Sequence, residues 1–360
     1  MPEVWPGKEE PQDIIAILGV DELGEQETGL GAAGGTNTGY PEAPAGKGSD
    51  AVDDITVGLR VPPEILGGGP AVLSGFLADA EAAGIDRVCV GDHVTFKGGR
   101  GFDGLVHATA LAVLSARLAV QTAVYLLPLR HPVPVARQVA SLAALAPGRL
   151  LFGVGLGGDD PDELRACGVD PASRGRRMDE SLAVVRALLD GGEVTASGEF
   201  FRLGRVRIRP APEPRVPIVV GGRSEAALRR AGRHGDGWLG LWVSPGRYAR
   251  AIELVGKHAS AAGRQVTRWR HGMHVWCGLD SSPAIARDRL SRVMEGMYHL
   301  PFGKFESYSP CGGPEDIAAS LRPYVEAGCR SFNLIPVAGS GRAAIEGVAA
   351  VRAVLRGEDT

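Results

Sequence analysis

Beyond Asp53 the chain alternates apolar, strand-like runs with helical patterns eight times, and this alternation restricts the fold more than any other feature. ITVGLRV (55–61), DRVCVGD (86–92), RLAVQTAVYL (117–126), RLLFGVG (149–155), VPIVV (216–220), DGWLGLW (236–242), HGMHVWCGL (271–279) and CRSFNLIPV (329–337) read as strands. Helical patterns fill the intervals at 71–84, 108–116, 133–146, 174–191, from Glu225 onward, and at 245–263, 282–296, 313–328 and 341–356. AEAAGIDRVCV (80–90), YVEAGCRSFNL (324–334) and, more loosely, RRAGRHGDGWLGL (229–241) repeat one junction: helix end, glycine, polar turn, apolar strand. Eight such units favour an α/β fold, a (β/α)8 TIM barrel with insertions at its C-terminal face, over residues 54–360. A doubly wound open sheet expects GxGxxG after its first strand, but the turn there reads VPPEILGGGP (61–70).

Charge separates this barrel from what precedes it. Residues 1–53 carry eleven acidic and two basic side chains, a net of −9 within a formal −3, so the remainder holds +6. Glycine, proline and small polar residues dominate from Gly29 to Asp53, which predicts a largely irregular acidic extension, a tail or a lid strap. A diffuse +6 suits an anionic cofactor or substrate, whereas the absence of a basic stripe argues against nucleic acid. No apolar run reaches membrane-spanning length and the start is acidic, so a soluble, cytoplasmic protein is expected. The five cysteines lack CxxC spacing and read as reduced thiols.

On a barrel, chemistry belongs at the C-terminal ends of the strands. The residues placed there are Asp92 and His93, Tyr125 and Arg130, Gly157 to Asp160, Gly221 to Ser224, and Trp242. The run VPIVVGGRSE delivers a buried strand into Gly221 and Gly222, with Ser224 able to cap the helix that begins at Glu225; an anionic group, most often a phosphate, is the usual occupant of such a turn. His93 can donate a hydrogen bond or exchange a proton with substrate, as imidazoles do near neutral pH. Asp92 and His93 have no third ligand at a metal-binding spacing, His107 and His131 being merely possible neighbours, so no metal is expected. Gly157 and Gly158 would admit a planar ring, while Asp159, Asp160, Asp162 and Glu163 suit either function or a solvated helix start. Arg149, Arg174, Arg177 and Glu180 fall where ion pairs would pin the scaffold. Nucleophile elbow, paired-histidine zinc and P-loop motifs are missing. A non-enzymatic binding scaffold and a non-redox phosphosugar enzyme remain as alternatives to a redox barrel.

The run RHPVPVARQVASLAALAPGRLLFGVGLGGDDPDELRACGVDPASRGRRMDESL (130–182), followed by PIVVGGRSEAALRRAGRHGDGW (217–238), resembles the bacterial luciferase-like family of F420- and flavin-dependent oxidoreductases. That resemblance covers about residues 55–340. It implies a TIM barrel with a substrate-enclosing insertion, usually a homodimer, that binds coenzyme F420 or FMN at the strand C-termini. It further implies that His93 lies near the reactive ring, with Asp92 adjoining it. Thr122, Ala123 and Val124 would support the ring, often through a non-prolyl cis peptide, and Gly221, Gly222, Arg223 and Ser224 would approach the phosphate. The expected activity is F420-dependent hydride transfer to or from a small organic substrate; the alternative is an FMN-dependent two-component monooxygenase served by a flavin reductase. One departure stands out: the family's F420-dependent sugar-phosphate dehydrogenases place a catalytic glutamate where this chain has Gly158. Residues 297–313 read equally as a substrate lid or as a packed connection.

Overall fold

All eight expected strands form, and they close into a ring. The computed structural model describes residues 55–99, 101–157 and 160–358, so the acidic extension of residues 1–53 lies outside it. Its strands are β1 (Thr56–Arg60), β2 (Arg87–Val90), β3 (Ala119–Thr122), β4 (Tyr125–Leu126), β5 (Leu150–Gly155), β6 (Val194–Ser197), β7 (Arg202–Val206), β8 (Ile218–Gly221), β9 (Gly237–Leu241), β10 (Gly272–Leu279), β11 (Cys311–Gly312) and β12 (Ser331–Val337). The parallel ring runs β1–β2–β3–β5–β8–β9–β10–β12 and returns to β1, where Thr56 lies opposite Ser331. Pairing of Gly272 with Leu239 joins β10 to β9 and completes the (β/α)8 barrel. The third strand, expected as one piece over 117–126, is two: the Ala123–Val124 peptide is cis, and β4 resumes beside β5.

Alternation along each strand separates two environments. Val57 and Leu59 are fully buried against the helices, as are Val88 and Val90 on β2. Removing each such side chain from water contributes about 1.5–3 kcal/mol. The other face fills the barrel interior with a polar layer. Arg87 donates from Nε to Asn333 Oδ1 at 2.9 Å and from Nη2 to Ser331 Oγ at 2.9 Å, and Asn333 Nδ2 donates to Gln121 Oε1 at 3.1 Å. Gly58 must lack a Cβ here, because one would lie 2.7 Å from Asn333 Oδ1. Cys89, Ala123, Val219 and Leu239 form a small apolar cluster of their own.

Helix Gly104–Leu114 begins four residues before its expected start, because Asp103 caps it, accepting from the N–H groups of Leu105 (2.9 Å) and Val106 (3.0 Å). A hairpin of β6 and β7, absent from the strand pattern above, is inserted before β8. Glu180 holds its turn by accepting from the N–H groups of Glu199, Phe200 and Phe201. Arg149, Arg174 and Arg177 also pin the scaffold, but on carbonyl oxygens rather than carboxylates: Arg149 reaches those of Ala112, Ser115 and Leu118, Arg174 that of Pro171, and Arg177 that of Pro128. Carbonyls at a helix end lack intrahelical donors, and guanidinium forks supply them. No helix among the described residues is long and apolar enough to cross a membrane, and all five cysteines are free.

Asp236, just before β9, accepts from Arg186 Nη2 at 2.6 Å, Arg215 Nη1 at 2.7 Å and the Ile218 N–H at 2.8 Å. Burial pushes its carboxyl up, but Arg186 and Arg215 outweigh that and hold it below the usual aspartate range. Its stabilising contribution is therefore complete above the ordinary aspartate pKa and is lost as pH falls through the depressed one. Thermal midpoints measured from pH 7 downward should show a shallower acid decline in Asp236→Asn than in the parent; matching slopes would contradict this.

Candidate active site

After β2 the chain crosses the C-terminal mouth of the barrel as Gly91-Asp92-His93. The His93 N–H donates to the Phe102 carbonyl at 3.1 Å, and the imidazole stacks on Phe96 with ring centroids 4.2 Å apart. Its Nδ1 lies 3.1 Å from Glu163 Oε2, the His93 side chain being 33% exposed and that of Glu163 only 4%. Glu163 Oε1 accepts from the N–H groups of Val94 (2.5 Å) and Thr95 (3.2 Å). Burial pushes the Glu163 carboxyl up, yet the bonds from His93, Val94 and Thr95 together hold it below the usual glutamate range. An ionised carboxylate can pair only with a protonated Nδ1, which leaves Nε2 as the reactive end of the ring.

Glu163 belongs to the acidic run whose use the sequence left open, and it turns inward while Asp162 faces solvent beside Arg165. Asp160 caps helix Pro161–Ala166 through the Asp162 N–H at 3.0 Å and reaches across to the Lys97 N–H at 2.7 Å. Two carboxylates after β5 thereby bolt down the loop after β2. Gly157 has φ of +67°, a left-handed value that glycine adopts without penalty, and packs over Leu126. Gly158 and Asp159 lie outside the described residues.

Asp92 is 2% exposed. Its Oδ1 accepts from the Gly104 N–H at 2.8 Å and Arg130 Nη2 at 2.9 Å; its Oδ2 accepts from the Leu126 N–H at 2.9 Å and from Arg130 Nη1. Burial pushes this carboxyl up, against the pull of Arg130 and the two N–H groups. Arg130 in turn lies 4.5 Å over the Tyr125 ring and bonds Asp103 at 3.1 Å. Asp92, Tyr125 and Arg130 thus come together as a buried knot that holds three segments in place beside His93. Both Asp92 oxygens already carry two donors.

Beyond β8, Gly222 has φ of +128°, and an added Cβ would lie 2.8 Å from that of Ala227. Ser224 Oγ accepts from the Ala227 N–H at 3.3 Å as N-cap of helix Glu225–His234, and the Gly222 carbonyl accepts from Trp238 Nε1 at 2.6 Å. Arg247 donates to the Arg223 carbonyl at 3.2 Å, and the Arg223 guanidinium lies 5.7 Å over the Trp242 ring. Val124 sits over the ends of β5 and β8: a Cβ on Gly155 would come within 2.3 Å of it and one on Gly221 within 3.0 Å. Of its two neighbours, Thr122 is fully buried, donating to the Gly153 carbonyl at 2.7 Å, and Ala123 belongs to the interior cluster. Trp242 closes the wall, with Tyr298 at 5.1 Å and Phe305 at 4.7 Å between centroids. Within residues 297–313, Phe302 and Phe305 anchor the segment here, 2% and 1% exposed.

The family described as luciferase-like monooxygenase matches residues 60–310. This chain belongs to that family. The luciferase-like chain is 34% identical over 293 residues to the F420-dependent glucose-6-phosphate dehydrogenase of Kineococcus radiotolerans, covering 72% of this chain and 85% of that protein. Among solved structures, an F420-dependent secondary alcohol dehydrogenase in complex with an F420–acetone adduct superposes with a TM-score of 0.72 at 20% identity, covering 82% of this chain and 99% of that one. A monooxygenase from Streptomyces bottropensis gives a TM-score of 0.69 at 22% identity, covering 83% and 98%. Both share the luciferase-like fold. At family level the chain is an oxidoreductase of the F420- and flavin-dependent class.

Proposed function

We propose that this protein is an F420-dependent oxidoreductase that moves hydride between the deazaflavin and a small organic substrate. The observation that carries the reading is the pair His93–Glu163 at the mouth, on the same rim as the glycine turn after β8. The site suits such a group. Gly221 and Gly222 make a tight turn with no room for a Cβ, against Val124 and Ala227, ahead of a helix N-terminus, and the Trp242 Nε1 is buried without a partner. Gly221, Gly222, Arg223 and Ser224 would hold the phosphate, and Val124, flanked by Thr122 and Ala123, would lie with Gly157 against the ring. Bound there, the deazaflavin supplies or accepts the hydride. His93 Nε2 gives a proton to, or takes one from, the substrate oxygen, and Glu163 stabilises the charged imidazole. Asp92 holds the His93 segment. A structurally similar monooxygenase solved in complex with FMN supports a second reading, FMN with a separate flavin reductase.

Fluorescence titration with F420 and FMN side by side tests this. F420 should bind selectively. Gly222→Ala, strained at its φ and crowding Ala227, should weaken that binding about tenfold, or ~1.4 kcal/mol. Selective FMN binding would move the assignment to the monooxygenase reading, and binding of neither would leave the scaffold or phosphosugar alternatives.

A further inference from the structure

We propose that the substrate is a carboxylate, held by the guanidinium of Arg60 on the side of the mouth opposite the phosphate cradle. This names the substrate class for the site assigned above and rests on that assignment. Arg60 is the last residue of β1 and shares its inward face with Gly58, while Val57 and Leu59 point to the helices. Its guanidinium lies against the backbone of Gly91, where a Cβ would stand 2.6 Å from Nη2 and 3.0 Å from Cζ. Gly91 is two residues before His93, so the cation sits beside the segment that carries the proposed proton donor.

No anion among the described residues answers it. Arg60 Nε is buried without a hydrogen-bond partner, and the side chain forms no ion pair among the described residues. None of the eight barrel strands contains an aspartate or glutamate. The second guanidinium of the interior, Arg87, is spent on the neutral Asn333 and Ser331. His274, on the same inner wall, cannot balance the charge either; burial, with Arg60 and Arg87 adding to it, pushes its imidazole down to about 3. Its Nδ1 is buried without a partner, like Trp242 Nε1. A half-buried cation with no counter-charge among the described residues costs a protein stability, and a ligand that supplies the charge removes that penalty.

The ring order separates this cation from the cofactor's phosphate. β1 and β8 are four strands apart in a ring of eight, on opposite sides of the mouth. One planar fork matches one carboxylate bidentately, whereas a phosphate dianion calls for further positive charge. Tyr298, with its ring centroid 5.1 Å from that of Trp242 and 6.2 Å from that of Trp276, joins them in an apolar wall for the body of an aromatic or otherwise flat acid.

The experiment is calorimetric titration of the full chain, with and without F420, using benzoate and its neutral isostere benzamide as probes. Wild-type protein should bind benzoate at least about tenfold more tightly than benzamide, and Arg60→Met should erase the difference while changing F420 affinity less than about twofold. Arg60→Met should also raise the ligand-free thermal midpoint by about 2 °C or more, since a half-buried charge without an ion-pair partner is gone. Arg60→Lys, which keeps the charge without the fork, should retain a reduced preference and serves if the methionine variant fails to fold. Equal binding of the two probes by wild type overturns the proposal, as does a preference that survives Arg60→Met. So does a loss of F420 affinity with benzoate binding unchanged, which would assign the guanidinium to the cofactor. An Arg60-dependent benzoate preference in a protein that binds neither F420 nor FMN would sink the redox assignment and leave the carboxylate site standing.

Discussion

His93→Ala is expected to lower the rate of hydride transfer by about 10²–10⁴-fold, the usual worth of a positioned general acid or base. F420 affinity should stay within a few-fold, because no atom of the glycine turn after β8 depends on the imidazole. Single-turnover measurement of cofactor fluorescence separates the chemical step from product release. Glu163→Gln should give a smaller loss, about 10-fold or more, because glutamine keeps an oxygen for Val94 and Thr95 but brings no charge to the imidazolium. The pH profile discriminates between a role in chemistry and one in folding. Glu163 is held below the usual glutamate range, so its carboxylate persists through neutral pH and is lost only as pH falls through that depressed value. Turnover in the parent should therefore fall at the acid end, and Glu163→Gln should lack that limb. An unchanged acid limb would show that Glu163 only braces the loop.

Asp92→Ala is expected to destabilise the fold by about 3–5 kcal/mol, the loss seen when one partner of a buried ion pair is removed. Arg130 would be left charged and mostly buried with only the half-exposed Asp103 to answer it, and the N–H groups of Gly104 and Leu126 would lose their acceptor. Asp92→Asn, which keeps one acceptor oxygen, should lose less. Urea denaturation at neutral pH, with the slope compared between variants, measures both. A loss below about 1 kcal/mol for the alanine variant would mean that solvent reaches Arg130 and replaces the carboxylate.

The barrel was legible because each strand has an apolar run bounded by glycine or a polar turn, and because an eightfold alternation closes naturally. Local capping was legible too: Ser224 caps its helix as its position suggests. What escaped depends on partners far away in the chain. Glu163 looks like any acidic residue in a first helical turn, and only the fold brings it to His93, seventy positions earlier. Asp160 has the same ambiguity and resolves it by reaching Lys97. The hairpin of β6 and β7 was missed because VTAS and RLGRV are short and largely solvated, with no apolar alternation to mark them. Arg60 reads as an ordinary end to ITVGLRV until the alternation of its neighbours turns it inward against Gly91. The break between β3 and β4 has no counterpart in residue type.

The loops after β2 and β5 are tied by Glu163, which takes the N–H groups of Val94 and Thr95, and by Asp160, which takes that of Lys97. Anyone retargeting this scaffold by loop grafting has to treat these two segments as one cartridge. Transplanting residues 93–97 alone would leave the N–H groups of Val94, Thr95 and Lys97 without their carboxylates, and the histidine would arrive without its registration. The same constraint applies to natural drift: insertions in either loop are tolerable only when the other changes in step, so diversification of substrate range falls more readily to the opposite rim.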